Sequence, residues 1–518
     1  MLLAASVALA AVALLAPDPL ERLLHTPLTL PAGIAAVVVT AAAIAAWGGR
    51  ALPTAALERA AAPVLGLVAL ALAGFSLMSV GRFMTLDLPD EPWVAATAVN
   101  YATSGSLAIP ERAWVYTIPT PAIQHYYILM GLWLRALNNT ALLALRGFPL
   151  LVGVLAALVT AGLLWRTPDL RPAARWGGLC ALLAFSPFVR TSHNLRADVG
   201  LAVYGALLLG ALTRPLNRRI AFGAGVALWI GLESLPTTAL TVGGAAGLVL
   251  LLINWRQAAT YALGGLTALG LYALRFLPDP VGNLRLYAAL VRYYDQNGLI
   301  GLRWSLATLM DYHLRFALLL SPAEIGLFGL ALVGLWQGAR RSALTLLMGG
   351  TLMLTGFAVS YGYWAVFAPF VAYGVALALR RQGRLAAGLV LILATALAPL
   401  RDMAAAFSAN ANAETLAQTD LLTGQFPPGS IVVGDDVFWF TLHEQRTFVG
   451  WVGLERFAVI TGLRLEEALT VLEADAAICD DRQTARCARL RRSGLFAPPL
   501  RFRAGGQSYW IFQRRGVG

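Results

Sequence analysis

The amino-acid sequence predicts an all-α polytopic membrane protein with a small α/β domain at its C-terminus. Hydrophobic residues make up 58% of the 518 positions and charged residues only 13%, whereas soluble proteins average about 25% charged residues. Apolar runs long enough to cross a bilayer, which takes about 20 helical residues, recur as far as residue 400. Beyond that point short β-like runs alternate with polar helical stretches. We therefore predict a membrane domain over 1–400 and a soluble domain over 401–518.

The apolar runs are expected to be helices, because backbone groups in lipid must find their partners within the segment. Alternating ten-residue segments, typical of outer-membrane barrels, are absent from the sequence. The runs lie at about 2–16, 30–48, 61–80, 121–137, 142–165, 176–192, 198–213, 220–232, 235–253, 257–276, 314–336, 343–359, 364–379 and 385–400.

The basic residues are arginines, and they predict the orientation of the runs. The net charge is +12, but most arginines lie in short loops, as expected for cytoplasmic loops of a membrane protein, so nucleic-acid binding is not expected. These loops predict about thirteen spans, with the N-terminus inside and the C-terminus outside. Both ends of 121–137 then lie on the outer side, so this run is expected to be interfacial or re-entrant. Two long outer loops, about 81–120 and 277–313, are where function is expected.

The first outer loop contains three carboxylates, Asp87, Asp90 and Glu91, just beyond a membrane helix. A short interfacial helix is predicted to follow, with Trp93 and Tyr101 as headgroup anchors. Asp90 has two interpretations that the loop alone leaves open. It is a good helix N-cap, and it is a candidate for catalysis at the membrane surface.

A second ionisable cluster, Arg196 and Asp198, lies at the outer mouth of the next helix pair. Ionisable residues at such a place indicate function, although the two side chains could also simply pair at the headgroup level. Arginines on the predicted outer face could bind phosphate bidentately. They are Arg82, Arg112, Arg190, Arg275, Arg292, Arg303 and Arg315.

Several motifs together resemble a known family. The first loop reads Pro89-Asp90-Glu91, and it continues to a Pro-x-Pro at 119–121 and the aromatic run 125–127. This arrangement looks like the first loop of the GT-C glycosyltransferases. Two later features resemble further elements of that family, namely Asn138-Asn139 followed by Arg146, and Arg196-Ala-Asp198. By layout the chain is similar to the aminoarabinose transferases of lipid A and to the protein O-mannosyltransferases.

The resemblance implies transfer of a sugar from a polyprenyl-phosphate carrier to a lipid, glycan or protein acceptor at the outer face of the inner membrane, with inversion. It implies that Asp90 is the general base, supported by Glu91, because an attacking hydroxyl needs a base within hydrogen-bond reach. It implies that Arg196 binds the donor phosphate, for which Arg303 and Arg315 are further candidates. Asp198 then orients Arg196 or, with Asp90, helps to hold a divalent metal whose identity the spacing does not specify.

The chain departs from the aminoarabinose transferases at three places. An acidic residue and a lysine before the aromatic run are replaced by Tyr116-Thr117-Ile118, and a phosphate-binding lysine tip reads 231–234 as Gly-Leu-Glu-Ser. A later lysine-rich tip reads Tyr-Gly-Tyr-Trp at 361–364. Two alternatives therefore stand beside the enzyme: a transporter or flippase of lipid-linked sugars, and a relative that binds the carrier without chemistry. The outer position of the charges and the absence of a repeat in the sequence disfavour the transporter.

The soluble domain contains two features of interest. Cys479 and Cys487 lie close together in what is predicted to be an oxidising compartment, so we predict a disulfide between them. The motif Gly434-Asp435-Asp436 is interpreted as a strand end followed by a polar turn and not as a ligand site. The domain itself is expected to cover the catalytic mouth or to help present the acceptor.

Overall fold

The structure is a computed structural model that describes residues 54–82, 90–107, 124–285, 288, 322–356, 361–381, 384–408, 416–417, 420–443, 446–480, 484–504 and 507–515. Fifteen helices of the membrane domain are described over these ranges. In chain order they are α1 Thr54–Ser79, α2 Asp90–Ser104, α3 Gln124–Leu137, α4 Leu142–Arg166, α5 Pro172–Ala184, α6 Ser186–His193, α7 Gly200–Leu212, α8 Arg218–Val226, α9 Leu228–Leu232, α10 Pro236–Ile253, α11 Trp255–Ala273, α12 Pro322–Gly338, α13 Arg340–Gly356, α14 Ala368–Leu379 and α15 Leu385–Ser408.

Four helical stretches of the described residues are long and apolar enough to cross a membrane: Arg59–Ser79, Leu142–Arg166, Pro236–Ile253 and Gly362–Leu379. Shorter apolar helices lie at Ala197–Leu212, Gly326–Gly338 and Gly388–Leu397. The mostly helical membrane domain is thus confirmed, while the count of about thirteen spans stays a prediction. The first two predicted runs, 2–16 and 30–48, lie outside the described residues.

Helices α2 and α3 pack against each other and are too short to cross the bilayer. The 14 residues of α3 extend about 21 Å, whereas the hydrocarbon core is about 30 Å thick. A Cβ at Gly131 of α3 would lie 2.9 Å from the carbonyl oxygen of Ala98 and 2.7 Å from the Tyr101 ring, so glycine permits the close approach. This length agrees with the prediction that 121–137 is not a simple span.

The predicted run 176–192 is divided into two helices, α5 and α6, at Phe185. Pro187 explains the break, because it has no N–H to donate to the preceding turn and its ring clashes with a continuing helix. It is tolerated in the first turn of the new helix, which begins at Ser186. The new helix start is satisfied from another element: the backbone N–H of Ser186 donates to Glu324 Oε1 at 2.8 Å. Glu324 is buried near the start of α12, so one carboxylate ties two membrane helices together.

One apolar cluster forms the interior of the membrane domain and includes residues of α1, α4, α5, α7 and α10–α15. Helices α12 and α14 pack closely against each other within it. A Cβ on Gly334 or on Gly374 would collide with backbone of the facing helix. Small residues at such a contact allow helices to pack in lipid, where apolar surface gives little driving force between them.

The soluble domain is a five-stranded mixed sheet with helices, as the alternation beyond residue 400 predicts. Its strands are β1 Ile431–Gly434, β2 Thr447–Gly450, β3 Ala476–Asp480, β4 Leu500–Ala504 and β5 Gln507–Gln513, in the spatial order β2-β1-β3-β5-β4. Strand β1 pairs in parallel with β2 and β3, whereas β5 pairs antiparallel with β3 and β4. The helices of this domain are α16 Trp439–Leu442, α17 Trp451–Thr461, α18 Leu465–Val471 and α19 Thr484–Arg492.

A disulfide joins Cys479 at the end of β3 to Cys487 in α19, with 5.9 Å between the two Cα atoms. This separation lies within the usual range of 4.4–6.8 Å, so the backbone already accommodates the bridge. The predicted pairing is therefore confirmed.

The soluble domain is docked on the membrane domain. A second apolar cluster combines residues of α2, α3 and α4, such as Val94, Tyr126 and Phe148, with residues of the sheet, such as Val432 and Ile478. This docking places the sheet against the helix that begins at Asp90. That the domain covers a catalytic mouth stays a prediction.

Candidate functional site

Glu91 and Arg146 form an ion pair that is completely buried, with both residues 0% exposed. Arg146 of α4 donates from Nε to Glu91 Oε1 at 3.2 Å and from Nη2 to Oε2 at 2.9 Å. Glu91 Oε1 also accepts the backbone N–H of Leu195 at 3.0 Å. One carboxylate thereby joins the start of α2, the N-terminal part of α4 and the segment that precedes Arg196.

Arg196 and Asp198 also pair, with 2.9 Å between Arg196 Nε and Asp198 Oδ2. Asp198 is 4% exposed and lies in a 3₁₀ turn, Ala197–Val199, at the start of α7. The Arg196 side chain is 17% exposed, so it retains access to solvent. Tyr126 of α3 donates from its hydroxyl to the Arg196 carbonyl oxygen at 3.0 Å, which fixes the backbone at this position.

The segment 361–364 packs against this pair. It forms the 3₁₀ helix Tyr361–Phe367, and a Cβ at Gly362 would lie 2.6 Å from Asp198 Oδ2 and 3.1 Å from Thr191 Cγ2. Only glycine therefore leaves room for the Asp198 carboxylate in its present position.

A second charged cluster lies beside the first and consists of His125, Glu233 and Arg275. Glu233 Oε1 lies 3.0 Å from His125 Nδ1, and its Oε2 accepts from Arg275 Nη1 at 3.1 Å. Glu233 and Arg275 are buried, whereas the His125 side chain is 44% exposed. Burial, and secondly the adjacent Arg275 guanidinium, lower the pKa of His125 below its usual 6.5. Because His125 and Tyr126 are neighbours, α3 contacts both clusters.

The soluble domain contacts this region through Asp436, which is 1% exposed. Trp93 Nε1 of α2 donates to Asp436 Oδ1 at 2.8 Å. Gly434-Asp435-Asp436 is indeed a strand end and a turn, but its second aspartate reaches the membrane domain. The sequence predicts that Trp93 is a headgroup anchor, but its indole N–H donates to the soluble domain instead. A buried indole N–H needs a hydrogen-bond acceptor, and Asp436 provides one.

The predicted residues are brought together to different degrees. Glu91 contacts the segment just before Arg196 and Asp198, and Gly362 lies against Asp198. The catalytic and phosphate-binding roles expected for these residues stay predictions. Asp90 is the first residue of α2, but its side chain lies outside the described structure. Arg303 and Arg315 lie outside the described residues, as do Arg112 and Arg292.

Three residues that help to form this site are not predicted as functional from the sequence: Tyr126, Glu233 and Gly362. Glu233 could have been predicted from the sequence, since an ionisable side chain in a tight turn between two apolar runs indicates function in a membrane protein. Tyr126 acts through its hydroxyl on a backbone atom 70 residues away, and no pattern of spacing predicts such a contact.

The predicted metal site does not gain support from the geometry. Among the side chains that the structure describes, no three His, Cys, Asp or Glu residues are grouped to hold an ion. Asp198 is already paired with a guanidinium, and such a neighbour disfavours a cation at the same carboxylate. The role of Asp90 and Asp198 as metal ligands stays a prediction, and no chemical step is derived from it.

Comparison with solved structures finds the same architecture in ArnT from Cupriavidus metallidurans. The apo structure is 14% identical, with a TM-score of 0.62 over 87% of this chain and 98% of that chain. The structure bound to undecaprenyl phosphate is 12% identical, with a TM-score of 0.61 over 88% and 98% of the two chains. No protein-family model and no curated protein matches the chain. ArnT is an aminoarabinose transferase of the GT-C fold, so the fold expected from the resemblance is confirmed.

Proposed function

We propose that this protein is a membrane glycosyltransferase that takes its sugar from a polyprenyl-phosphate carrier. The solved structure of similar fold holds undecaprenyl phosphate, which supports a carrier of this class. The acceptor is a hydroxyl-bearing lipid, glycan or protein at the outer face, and direct attack inverts the anomeric centre.

One observation carries the proposal: the Glu91 carboxylate holds the start of α2 against the segment that contains Arg196 and Asp198. It binds Arg146 through both oxygens and accepts from Leu195 N at 3.0 Å. Asp90, immediately before Glu91, is thereby kept at the same face as Arg196. A base and a phosphate-binding cation on one rigid support are what sugar transfer from a phosphate donor needs.

The geometry changes the role proposed for Glu91. Because this carboxylate is 0% exposed and fully engaged by Arg146 and Leu195, we assign it a positioning role, not contact with substrate. Asp90 is the general base that takes the proton of the acceptor hydroxyl. Arg196, oriented by Asp198 and partly open to solvent, stabilises the anionic phosphate that leaves.

The central experiment measures sugar transfer by purified Asp90→Asn and Arg196→Ala proteins with a labelled polyprenyl-phosphate donor pool. Asparagine caps a helix about as well as aspartate does, so Asp90→Asn is expected to keep its thermal midpoint. It is expected to lose about 10²–10⁴-fold in turnover while donor binding survives. Arg196→Ala is expected to weaken donor binding itself by about tenfold or more.

Asp420→Asn, an exposed position in the soluble domain, serves as the matched control and is expected to transfer sugar at the wild-type rate. A well-folded Asp90→Asn protein with wild-type turnover would contradict the assignment of the base. Movement of the labelled donor between leaflets of a vesicle without transfer would favour a flippase instead. Donor binding without either activity would indicate a relative that binds the carrier only. Mass spectrometry of the bound donor would identify the sugar.

A further inference from the structure

An apolar groove lies between α4, α7 and α8, away from the site described above. Its volume is about 570 Å³. Most of its lining is apolar, including Leu158 and Leu207, which are 64% and 37% exposed. At Gly162 and Gly223 a Cβ would meet no atom within 4 Å, so glycine leaves the middle of the groove open.

Two arginines, Arg166 and Arg214, line one end of this groove. They lie at the ends of α4 and α7, in the short arginine-rich loops 166–175 and 214–219, which the positive-inside rule predicts to be cytoplasmic. Toward the other described residues, neither guanidinium makes a side-chain hydrogen bond or an ion pair. An apolar groove that ends in two cations without an anionic partner among the described residues is complementary to an acyl chain that ends in an anionic headgroup.

We propose that this groove binds an anionic glycerophospholipid of the inner leaflet. One acyl chain lies along Gly162, Gly210 and Gly223, and the phosphate is bound by Arg166 and Arg214. Guanidinium groups bind phosphate oxygens bidentately, and basic pockets between membrane helices on the cytoplasmic side are typical sites of anionic lipid headgroups. The site is independent of sugar transfer, because it lies at the opposite end of α4 from Arg146.

The experiment uses the full-length protein in nanodiscs and in mild detergent. Thermal midpoints are measured against increasing phosphatidylglycerol, with phosphatidylcholine as the neutral comparison, and native mass spectrometry counts the lipid that stays bound. Wild-type protein is expected to retain one phosphatidylglycerol in preference to phosphatidylcholine. Replacing both arginines, Arg166→Gln with Arg214→Gln, is expected to weaken retention by about tenfold or more, since two charge-assisted contacts are lost.

Two further variants separate a seated lipid from a general attraction of charge. Gly162→Leu and Gly223→Leu fill the groove and leave both arginines in place, so each is expected to expel the lipid. Gly74→Leu is their matched control, since a Cβ at Gly74 of α1 also meets no atom within 4 Å but lies outside the groove. The pair Arg256→Gln with Arg340→Gln removes the same charge from predicted cytoplasmic ends elsewhere, and is expected to retain the lipid.

Three results would each overturn the proposal. The first is equal retention of phosphatidylglycerol and phosphatidylcholine by wild-type protein. The second is wild-type retention by both groove-filling variants, which would place the lipid at a charged surface only. The third is a polyprenyl phosphate as the retained lipid, which would make the groove a carrier site. Size-exclusion profiles show whether each variant is folded; if only one leucine variant folds, wild-type retention by that variant gives the second result.

Discussion

At the scale of single residues, the site depends on buried charges that are matched in pairs. Glu91 is matched by Arg146 and Glu233 by Arg275, and all four side chains are nearly or completely buried. A buried pair contributes little net stability compared with an apolar pair, but removal of one partner leaves an uncompensated charge. We therefore infer that the main role of the Glu91–Arg146 pair is to fix the position of α2 relative to α4.

Arg146→Met is expected to lower the unfolding free energy by about 3–5 kcal/mol, because it leaves the Glu91 carboxylate buried without its cation. The double variant, Glu91→Gln with Arg146→Met, is expected to recover most of that loss. It removes both charges, and the glutamine carbonyl can still accept from Leu195. Thermal or denaturant unfolding in detergent measures both effects. Additive losses in the double variant would contradict a direct interaction between the two residues.

His125 is expected to make stability depend on pH. The pKa of His125 is lowered in the folded protein, although Glu233 lies beside it, because burial and Arg275 oppose protonation. The unfolded chain then binds a proton more readily, so stability is expected to be full above the usual pKa of 6.5 and to fall as the pH falls toward the lowered value.

Unfolding midpoints between about pH 8 and pH 5 test this dependence, a range that brackets an ordinary histidine. His125→Gln is the comparison protein, and its midpoint is expected to fall less over the same interval. Equal pH profiles for the two proteins would show that His125 does not titrate on unfolding.

At the scale of elements, the important contact is that between α2 and the soluble domain. Helix α2 carries Asp90 and Glu91 at its start, and its Trp93 donates to Asp436 in the turn after β1. The apolar cluster around Val94 and Ile478 extends this contact. Movement of the soluble domain is therefore expected to be transmitted to the helix that carries the proposed base.

Trp93→Phe keeps an aromatic ring but removes the N–H that Asp436 accepts. Hydrogen bonds to charged groups contribute about 1.5–3 kcal/mol, so hydrogen exchange in α2 and in the 436–438 turn is expected to rise about tenfold or more. Trp510→Phe, in β5 of the same domain, is the control and is expected to leave α2 unchanged. Unaltered exchange in α2 of the Trp93 variant would indicate that apolar packing alone holds the two domains together.

At the scale of the whole molecule, the orientation in the membrane decides whether the candidate site can meet a carrier on the outer face. The structure places Arg196, Glu233 and Gly362 on one face of the membrane domain, together with the soluble domain. Arg166 and Arg214 lie at the other ends of their helices. The sidedness of these faces still rests on the arginine pattern of the loops.

Reporter fusions test this orientation directly. Reporters after residue 410 and near residue 285 are expected to be periplasmic, and one near residue 170 to be cytoplasmic. The disulfide between Cys479 and Cys487 gives a second test, because such bonds persist in oxidising compartments. Denatured protein from cells is therefore expected to label neither cysteine until it is reduced. An external position for residue 170, or two free thiols in this pair, would contradict the orientation.

The sequence alone determined the membrane class, the α/β tail, the cysteine pair and the carboxylates and arginines of interest. These features depend on short stretches of sequence: the length of apolar runs, the periodicity of strands and helices, and the types of residue present. Strands β1 and β5 follow closely from the sequence, because Ile-Val-Val at 431–433 and Tyr-Trp-Ile-Phe at 509–512 are runs of β-branched and aromatic residues.

Only the tertiary structure decided which of those residues meet. Glu91 could have been a base or a structural partner, and its role became clear when Arg146 and Leu195 were found on its two oxygens. The same holds for Asp436. The local sequence predicts only that it lies in a turn, whereas the tertiary structure shows that it accepts a hydrogen bond from Trp93. Contacts between residues 55 to 343 positions apart depend on how helices cross and dock. That geometry is set by packing of the whole chain and not by the spacing of residues along it.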